Sequence, residues 1–598
     1  MAKKNKKLIR YTSRDFNSIK ESLVEYAKRY YPDTYKDFSE ASFGSFMLDT
    51  VAYIGDMLSF YLDYQANESF LDTSIEYDNI LRLGEQVGYQ QPLRSNSFGS
   101  VTLYILTPSD PNGVGPDRNY LPLLVKGTKF STNSGQVFEL TENVDFTNSE
   151  NEVVVATANP GDGSQTAFAV KAYGIVTSGE LREESIKIGG LKKFLTVSLA
   201  DPNVTEIVSV TDSEGHEYFE VDYLSQDTVF RSIVNKDPST RGTIPSIIVA
   251  TSVPRRFITF SRSNQIMLKF GYGSDSSLKT DNITHPSNVV LQMHSREYIT
   301  DNSFDPSKLL ETDKFGISPA NTTLKIIYRA NNTDTANTST GTLTSVSDPI
   351  YIFSDTATNQ ARINFVKDSL EVTNEEPITG DVSLPSVDEL KQRINDVFST
   401  QNRAVTIQDY EALVYRMPSK FGRVKRAKLV RDNDSFKRNL NLYVLSEDPD
   451  GNLSPCHQIL KNNTKTWLNN YRMVNDTLDI LDAKIINIGI KFTAVTNYDQ
   501  DKYEALNASI TAIQEIFSAK LDISQPIYIT KIYDVVNELE EIVDVTDVVI
   551  EHKTGGLHSD FSYDLEHYIS ADGRILYAPE NVVYELKYPD KDIVGTIK

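Results

Sequence analysis

Apolar residues recur at spacings of three and four early in the chain, at Phe16, Ile19, Leu23, Tyr26 and Tyr30. That is the pattern of one helix face. Thr12 and Asp15 have capping-box-like spacing ahead of it, and the helix is expected to end near Tyr31-Pro32. A longer, aromatic-rich stripe follows at Phe43, Phe46, Met47, Val51, Ile54, Leu58, Tyr61 and Leu62, then a shorter one at Ile80, Leu83 and Val87. Residues 1–95 therefore read as a helical domain. The long stripe either packs within that bundle or lends part of its apolar face to partner helices.

From about Ser97 to Asp368 the pattern changes to short β-like runs, such as 101–106, 153–156, 194–197, 207–210 and 324–328, punctuated by turn residues. Residues 96–370 form a β-rich middle of one or two domains. Within it, 331–347 is almost wholly Asn, Thr, Ser, Ala and Gly. Such a composition reads as an exposed loop or linker, open to proteolysis.

Residues 371–484 read as a helix-strand domain. Ser386 and Glu389 make a capping box before Leu390, Ile394, Val397 and Phe398, and Thr406 starts a helix through Tyr410, Leu413 and Val414. Residues 485–550 predict a β-α-α-β module. Ile486, Ile488, Ile490 and Phe492 alternate with Asn487, Gly489, Lys491 and Thr493 along one strand. The helices follow at Tyr503, Leu506, Ile510, Ile513 and Phe517, and at Ile532, Val535, Val536 and Leu539. The tail, 551–598, reads as strands and loops at a surface. The predicted class is α+β multidomain: an N-terminal helical bundle, a β-rich middle, and a C-terminal mixed α/β module with a β-rich tail. No internal repeat supports a solenoid or propeller.

Composition narrows the function. Over 598 residues, 60 Lys and Arg against 82 Asp and Glu leave a net charge of −22. The average surface therefore repels phosphate and anionic lipid, and nucleic acid is not an expected partner. A single cysteine, Cys456, excludes an intrachain disulfide and a cysteine-cluster metal site. No apolar run approaches the ~18 residues of a membrane span. The basic start is followed by a polar stretch where a secretory signal would carry an apolar core, so folding in a reducing cytoplasm is expected.

Candidate chemistry is sparse. There is no phosphate-binding loop, dinucleotide fingerprint, His-Glu-x-x-His helix or nucleophile elbow. His552, His558 and His567 cluster near the C-terminus without a regular metal-ligand spacing. Cys456 and His457 are adjacent, which does not make a nucleophile–base pair. Asp49 and Asp56, two turns apart on the long helix, read as a polar face. No catalytic, cofactor or metal residue is assigned, and the chain is expected not to be an enzyme. The basic stretch Lys420, Arg423, Lys425, Arg426, Lys428 and Arg431 reads as a solvated edge strand or as a contact for an acidic face of a neighbouring subunit.

The ordered motifs resemble the baseplate wedge proteins of contractile-tailed bacteriophages, the baseplate J-like family. The similar segments are Leu48-Asp49-x-x-Ala52-Tyr53, Glu68-Ser69-Phe70, Gly88-Tyr89, Val125-Lys126-Gly127-Thr128-Lys129-Phe130, Phe270-Gly271-Tyr272-Gly273 and Ala404-Val405-Thr406-x-x-Asp409-Tyr410-Glu411. The Phe-Gly turn reads as one in which glycine supplies positive φ. The likeness runs over roughly residues 10 to 550, and the last ~45 residues match no known pattern.

The resemblance implies a virion structural protein, assembled in the host cytoplasm and located in the tail baseplate. Copies would pair within each wedge and link wedges into a ring around the hub, and the ring would rearrange on contraction. Partners would be other wedge proteins and sheath-initiating and hub-proximal tail proteins, with no cofactor and no membrane insertion. The interface candidates are Phe43, Phe46, Met47, Val51, Ile54, Leu58 and Tyr61, the basic residues Arg423, Lys425 and Arg426, and Tyr503, Leu506 and Ile510. Two other classes remain open: a tail-associated host-surface adhesin that binds polysaccharide, for which the β-rich middle and 32 tyrosines leave room, and a soluble hydrolase.

Overall fold

The computed structural model describes residues 15–31, 42–90, 94–111, 115–158, 165–234, 246–262, 265–274, 315–331, 335–401, 403–432, 439–496 and 501–598. Thr12 of the expected first cap and part of the 331–347 stretch lie outside them. Ten helices occur among the described residues: α1 (Phe16–Tyr30), α2 (Phe43–Glu68), α3 (Tyr77–Gln86), α4 (Gln360–Asp368), α5 (Val387–Thr400), α6 (Ile407–Tyr415), α7 (Gln458–Asn469), α8 (Lys502–Ile516), α9 (Ile529–Asn537) and α10 (Pro589–Asp592). With the many short strands of the middle and the mixed C-terminal half, the chain is an α+β multidomain protein.

The chain divides into two compact units, Met1–Gln90 with Pro385–Gln401, and Gln91–Leu384 with Asn402–Lys598. In the first unit, α1 lies along α2, and α3 packs against α5. The second contact is a small apolar core of Ile80, Tyr89, Leu390 and Ile394. Gly84 permits it, because a Cβ there would come within 2.8 Å of Ile394 Cδ1. Ser386 caps α5 as the sequence predicts, its hydroxyl accepting from the Glu389 N–H. The helix nonetheless belongs with the N-terminal helices, not with the 371–484 segment, since its partners Ile80 and Tyr89 lie some 300 residues upstream.

The second unit contains two seven-stranded sheets. One runs in the order Leu343–Asp348, Lys129–Thr132, Val137–Leu140, Gln165–Ser178, Phe98–Pro108, Glu371–Thr373, with Glu152–Ala158 also paired to Gln165–Ser178. The other is built around Thr323–Ala330, Val204–Thr211 and Arg256–Arg262. Each buries its own apolar cluster. The stretch expected to be an exposed loop at 331–347 is instead partly interior. Asn337 is buried, its amide donating to the carbonyls of Asp381 (2.6 Å) and Glu447 (2.7 Å). Its Oδ1 accepts from Ser97 Oγ and the Asp381 N–H. Short polar side chains can fill an interior when every donor and acceptor is matched, which composition alone does not reveal.

The glycine of the Phe270-Gly271-Tyr272-Gly273 turn serves close approach rather than positive φ. A Cβ at Gly271 would lie 2.1 Å from the Gly316 carbonyl oxygen, which accepts from Tyr272 and Gly273. In the C-terminal part, Lys484–Thr496, α8, α9 and Ile542–His552 form the expected β-α-α-β module. The tail is not a surface appendage to it. Val582–Glu585 and Ile593–Ile597 pair in parallel with Lys484–Thr496, and Val582, Tyr584 and Ile593 enter its core. Asn487, on the polar side of the alternation, is covered by that tail and satisfied by Glu585 and the Ser559 N–H.

Candidate partner interface

The 26-residue α2 begins where the Ser42 hydroxyl accepts from the Ser45 N–H, and at about 1.5 Å per residue it extends ~39 Å. Its buried positions include Ser45, Ala52 and Ser59, spaced by seven. Small residues on one seam let α1 approach closely: a Cβ at Gly55 would sit 3.3 Å from Ile19 Cδ1. Lys20 pairs with Asp49 at 2.7 Å beside that seam, so Asp49 is a bundle contact.

The large apolar residues face the other way. Phe43, Phe46, Met47, Val51, Ile54, Leu58 and Tyr61 are exposed, from 44% at Met47 to 75% at Phe43. At 100° per residue these seven centre opposite the small-residue seam. Tyr53, Met57, Phe60 and Leu62 are exposed too and widen the apolar arc to about 200°. Leu62 lies on the predicted stripe. Tyr53, Met57 and Phe60 were missed, although an apolar arc this much wider than the ~100° stripe of an ordinary surface helix is itself a signal.

Past α2 the chain turns through Glu68, which is buried and accepts from the Ile75 N–H at 2.7 Å and from Asn79 Nδ2 at 2.9 Å. Burial pushes its carboxyl up, but these bonds outweigh that and hold it below its ordinary value. Tyr89 packs on α5 after the positive φ of Gly88.

The other interface candidates are mostly consumed within the chain. Arg423, Lys425 and Arg426 are buried, neither a solvated edge nor a contact for a neighbour. Lys425 Nζ lies 3.1 Å from Glu447 and bonds Ser383. The Arg426 guanidinium donates to the Lys520 and Leu521 carbonyls and meets Asp522 at 2.9 Å. Density of charge in the sequence looked like surface because the matching carbonyls and carboxylates come from residues some 20 to 100 positions away. The strand Arg426–Arg431 does lie at a sheet edge, and α6 closes it: the N–H groups of Ala427 and Leu429 donate to Tyr415 Oη and Glu411 Oε1, both at 2.9 Å. Thr406 starts α6 as expected, and its pairing with Asp409 is a reciprocal capping box.

On α8, Leu506 and Ile510 pack against the module's core and are not free. A Cβ at Gly595 would meet Leu506 Cδ1 at 2.5 Å, which shows how closely strand and helix approach. Tyr503 alone of the three is exposed.

His457, His552, His558, His567 and Cys456 are each held by neighbouring groups or by burial. His558 Nε2 is 3.1 Å from the Asp592 carboxylate, His567 lies edge-on to Tyr568, and His552 packs near Tyr563. His457 caps α7, its Nδ1 accepting from the Ile459 N–H, and burial lowers its pKa. Cys456 is buried, which pushes its thiol up, away from the reactive thiolate. Among the described residues no three His, Cys, Asp or Glu side chains gather as a metal site, and no helix is long and apolar enough to cross a membrane.

Residues 15–86, which contain α1, α2 and α3, match the family described as bacteriophage baseplate protein, N-terminal domain. Residues 15–86 are thus similar to the N-terminal domain of bacteriophage baseplate proteins. Among solved structures, the chain is similar at 11% identity to a chain in the six-fold symmetrised cryo-EM structure of the anti-feeding prophage (AFP) baseplate. The likeness covers 95% of this chain and 90% of that one, with a TM-score of 0.24. No curated protein matches it. The resemblance motifs now have physical roles: Asp49 and Ala52 make the α1–α2 seam, Glu68 holds the turn to α3, and Gly88-Tyr89 docks α5.

Proposed function

We propose that this chain is a structural wedge subunit of a contractile tail, a framework without catalytic chemistry. Its N-terminal helices enter a bundle completed by helices of other wedge proteins. Copies pair within the wedge, and the C-terminal half, where Tyr503 remains exposed, links wedges into a ring around the hub that rearranges on contraction. The subunit is assembled in the host cytoplasm and resides in the virion tail.

One observation carries this reading: α2 turns small residues inward and eleven large apolar residues outward. Half-exposed side chains of this size leave on the order of 1,000 Å² of apolar surface in water, above the few hundred Å² that a soluble monomer ordinarily shows in one patch. Covering it from both partners matches a standard or larger interface.

Co-expression with the neighbouring tail genes, followed by electron microscopy of the purified complex, tests the proposal. The expected product is a hetero-oligomer with α2 inside a multi-helix bundle. A chain that trimerises alone and binds host cells, leaving neighbouring tail proteins unbound, overturns it.

A further inference from the structure

Asn452, Lys520 and Glu585 converge in the second unit from three separate stretches of chain. Asn452 closes the turn after the strand Asn439–Glu447: its N–H donates to Asp448 Oδ1 and its carbonyl accepts from the Asp448 N–H, both at 2.8 Å. Lys520 follows α8, and its carbonyl accepts from the Arg426 guanidinium. Glu585 ends the strand Val582–Glu585. The Lys520 Nζ lies 3.0 Å from Glu585 Oε1 and 3.3 Å from Asn452 Oδ1. Glu585 is buried and held at both oxygens, Oε1 also accepting from the Leu453 N–H at 2.7 Å and Oε2 from Asn487 Nδ2 at 3.1 Å. Asn452 is buried too, and the Lys520 side chain is only 22% exposed. Nearby in the chain, Leu453, Leu521 and Val583 belong to one apolar cluster. An ion pair needs only the amine and the carboxylate, whereas here a buried primary amide is held against the amine as well. With a C=O bond of about 1.23 Å, Asn452 Cγ lies within about 4.5 Å of Nζ. That is a short step from the ~3–3.5 Å at which reacting atoms are poised for attack.

We propose that Lys520 and Asn452 condense into an intrachain amide bond, with Glu585 as the proton carrier. Glu585 takes a proton from the Lys520 ammonium, a transfer that burial favours because a neutral pair replaces a charged one. The free amine adds to Asn452 Cγ, the Nζ–Cγ bond forms and the Cγ–Nδ2 bond breaks. Glu585 relays protons from the attacking nitrogen to the leaving one. Nζ loses two protons in all, Nδ2 gains both and departs as ammonium, and Glu585 ends as the carboxylate it began. The balance needs no co-reactant. Three backbones held in place by their own hydrogen bonds bring the groups together, so the reaction is intramolecular and carries little further entropic cost. The bond ties the sheet containing Asn439–Glu447 to the β-α-α-β module at a second point besides the chain's own passage from one to the other. It forms once per chain and turns over no substrate. It therefore adds a covalent fastening to a framework protein, and it depends on this chain's own atoms rather than on the assembly reading.

Intact mass spectrometry of the purified full-length chain after denaturation, followed by tryptic mapping, tests this. The parent is expected to weigh one ammonia less than its sequence and to yield a branched peptide joining Asn452 to Lys520, with trypsin no longer cutting after Lys520. Asn452→Asp is expected to reach the same linked mass, now by loss of water. Lys520→Arg and Glu585→Gln are expected to keep their full sequence mass and give no branched peptide. The parent's own map decides the matter if a variant fails to fold. A parent at its sequence mass with no branched peptide overturns the proposal. So does an ammonia loss that persists in Lys520→Arg, the mark of a backbone succinimide, and so does a branched peptide that forms undiminished in Glu585→Gln. None of these readings involves a tail partner, so failure here leaves the co-expression test of assembly untouched.

Discussion

Ile54 and Ala52 stand two residues apart on α2 and separate folding from assembly. Ile54 is half exposed and faces away from α1, whereas Ala52 is fully buried in the small-residue seam. Ile54→Asp removes an apolar contact worth about 1.5–3 kcal/mol once a partner helix covers it. It also buries a carboxylate with no cation opposite, which costs several kcal/mol more. A loss of at least ~4 kcal/mol is about a thousandfold in the dissociation constant. In the isolated chain the aspartate stays in water, so its melting temperature should move by no more than a degree or two. Ala52→Leu does the reverse. It forces a larger side chain against α1 and destabilises the unit by roughly 1–3 kcal/mol before any partner is met. Pull-down titration with the co-expressed neighbours and thermal melting of the isolated chain measure the two effects. Normal incorporation of Ile54→Asp into baseplates, or a large drop in its melting temperature, would refute the assignment of that face to a partner.

Two further outcomes follow from buried charge. Lys425→Met should destabilise the second unit by about 3–5 kcal/mol, because Glu447 is left interior without its cation; a melting curve like that of the parent would return the basic stretch to a surface role. Glu68, held below its ordinary pKa chiefly against burial by the Ile75 N–H and Asn79, stabilises the α2–α3 turn fully above the unfolded value of about 4.3 and loses that contribution as pH falls through its folded value. Hydrogen exchange at Ile75 should therefore quicken below about pH 4 in the parent, whereas Glu68→Gln should show fast exchange with a flatter pH profile.

Much of the architecture was legible in periodicity. The stripe from Phe16 to Tyr30, the alternation from Ile486 to Phe492 and the helix start at Thr406 each depend on neighbours within a few residues, and each appears as read. The apolar stripe of α2 was legible for the same reason, but whether the bundle itself would cover it was not. What failed depends on distant partners. Lys425 and Arg426 meet groups on Glu447, Lys520 and Leu521, and Asn337 meets Ser97 and Asp381. Leu506 and Ile510 carried the same helical pattern whether they faced a partner or their own sheet. The tail strands that cover Asn487 and fill the module's core gave no local sign of whom they pair with.

Hydroxyl-radical footprinting of α2, in the isolated chain and in the complex formed with neighbouring tail proteins, measures whether its outward face is an interface. Phe46, Met57, Leu58 and Tyr61 should be oxidised readily in the isolated chain and at least fivefold more slowly in the complex, while Ala52 and its buried neighbours stay unlabelled in both. Equal labelling of those four side chains before and after assembly would contradict the claim that this helix completes its packing on other subunits.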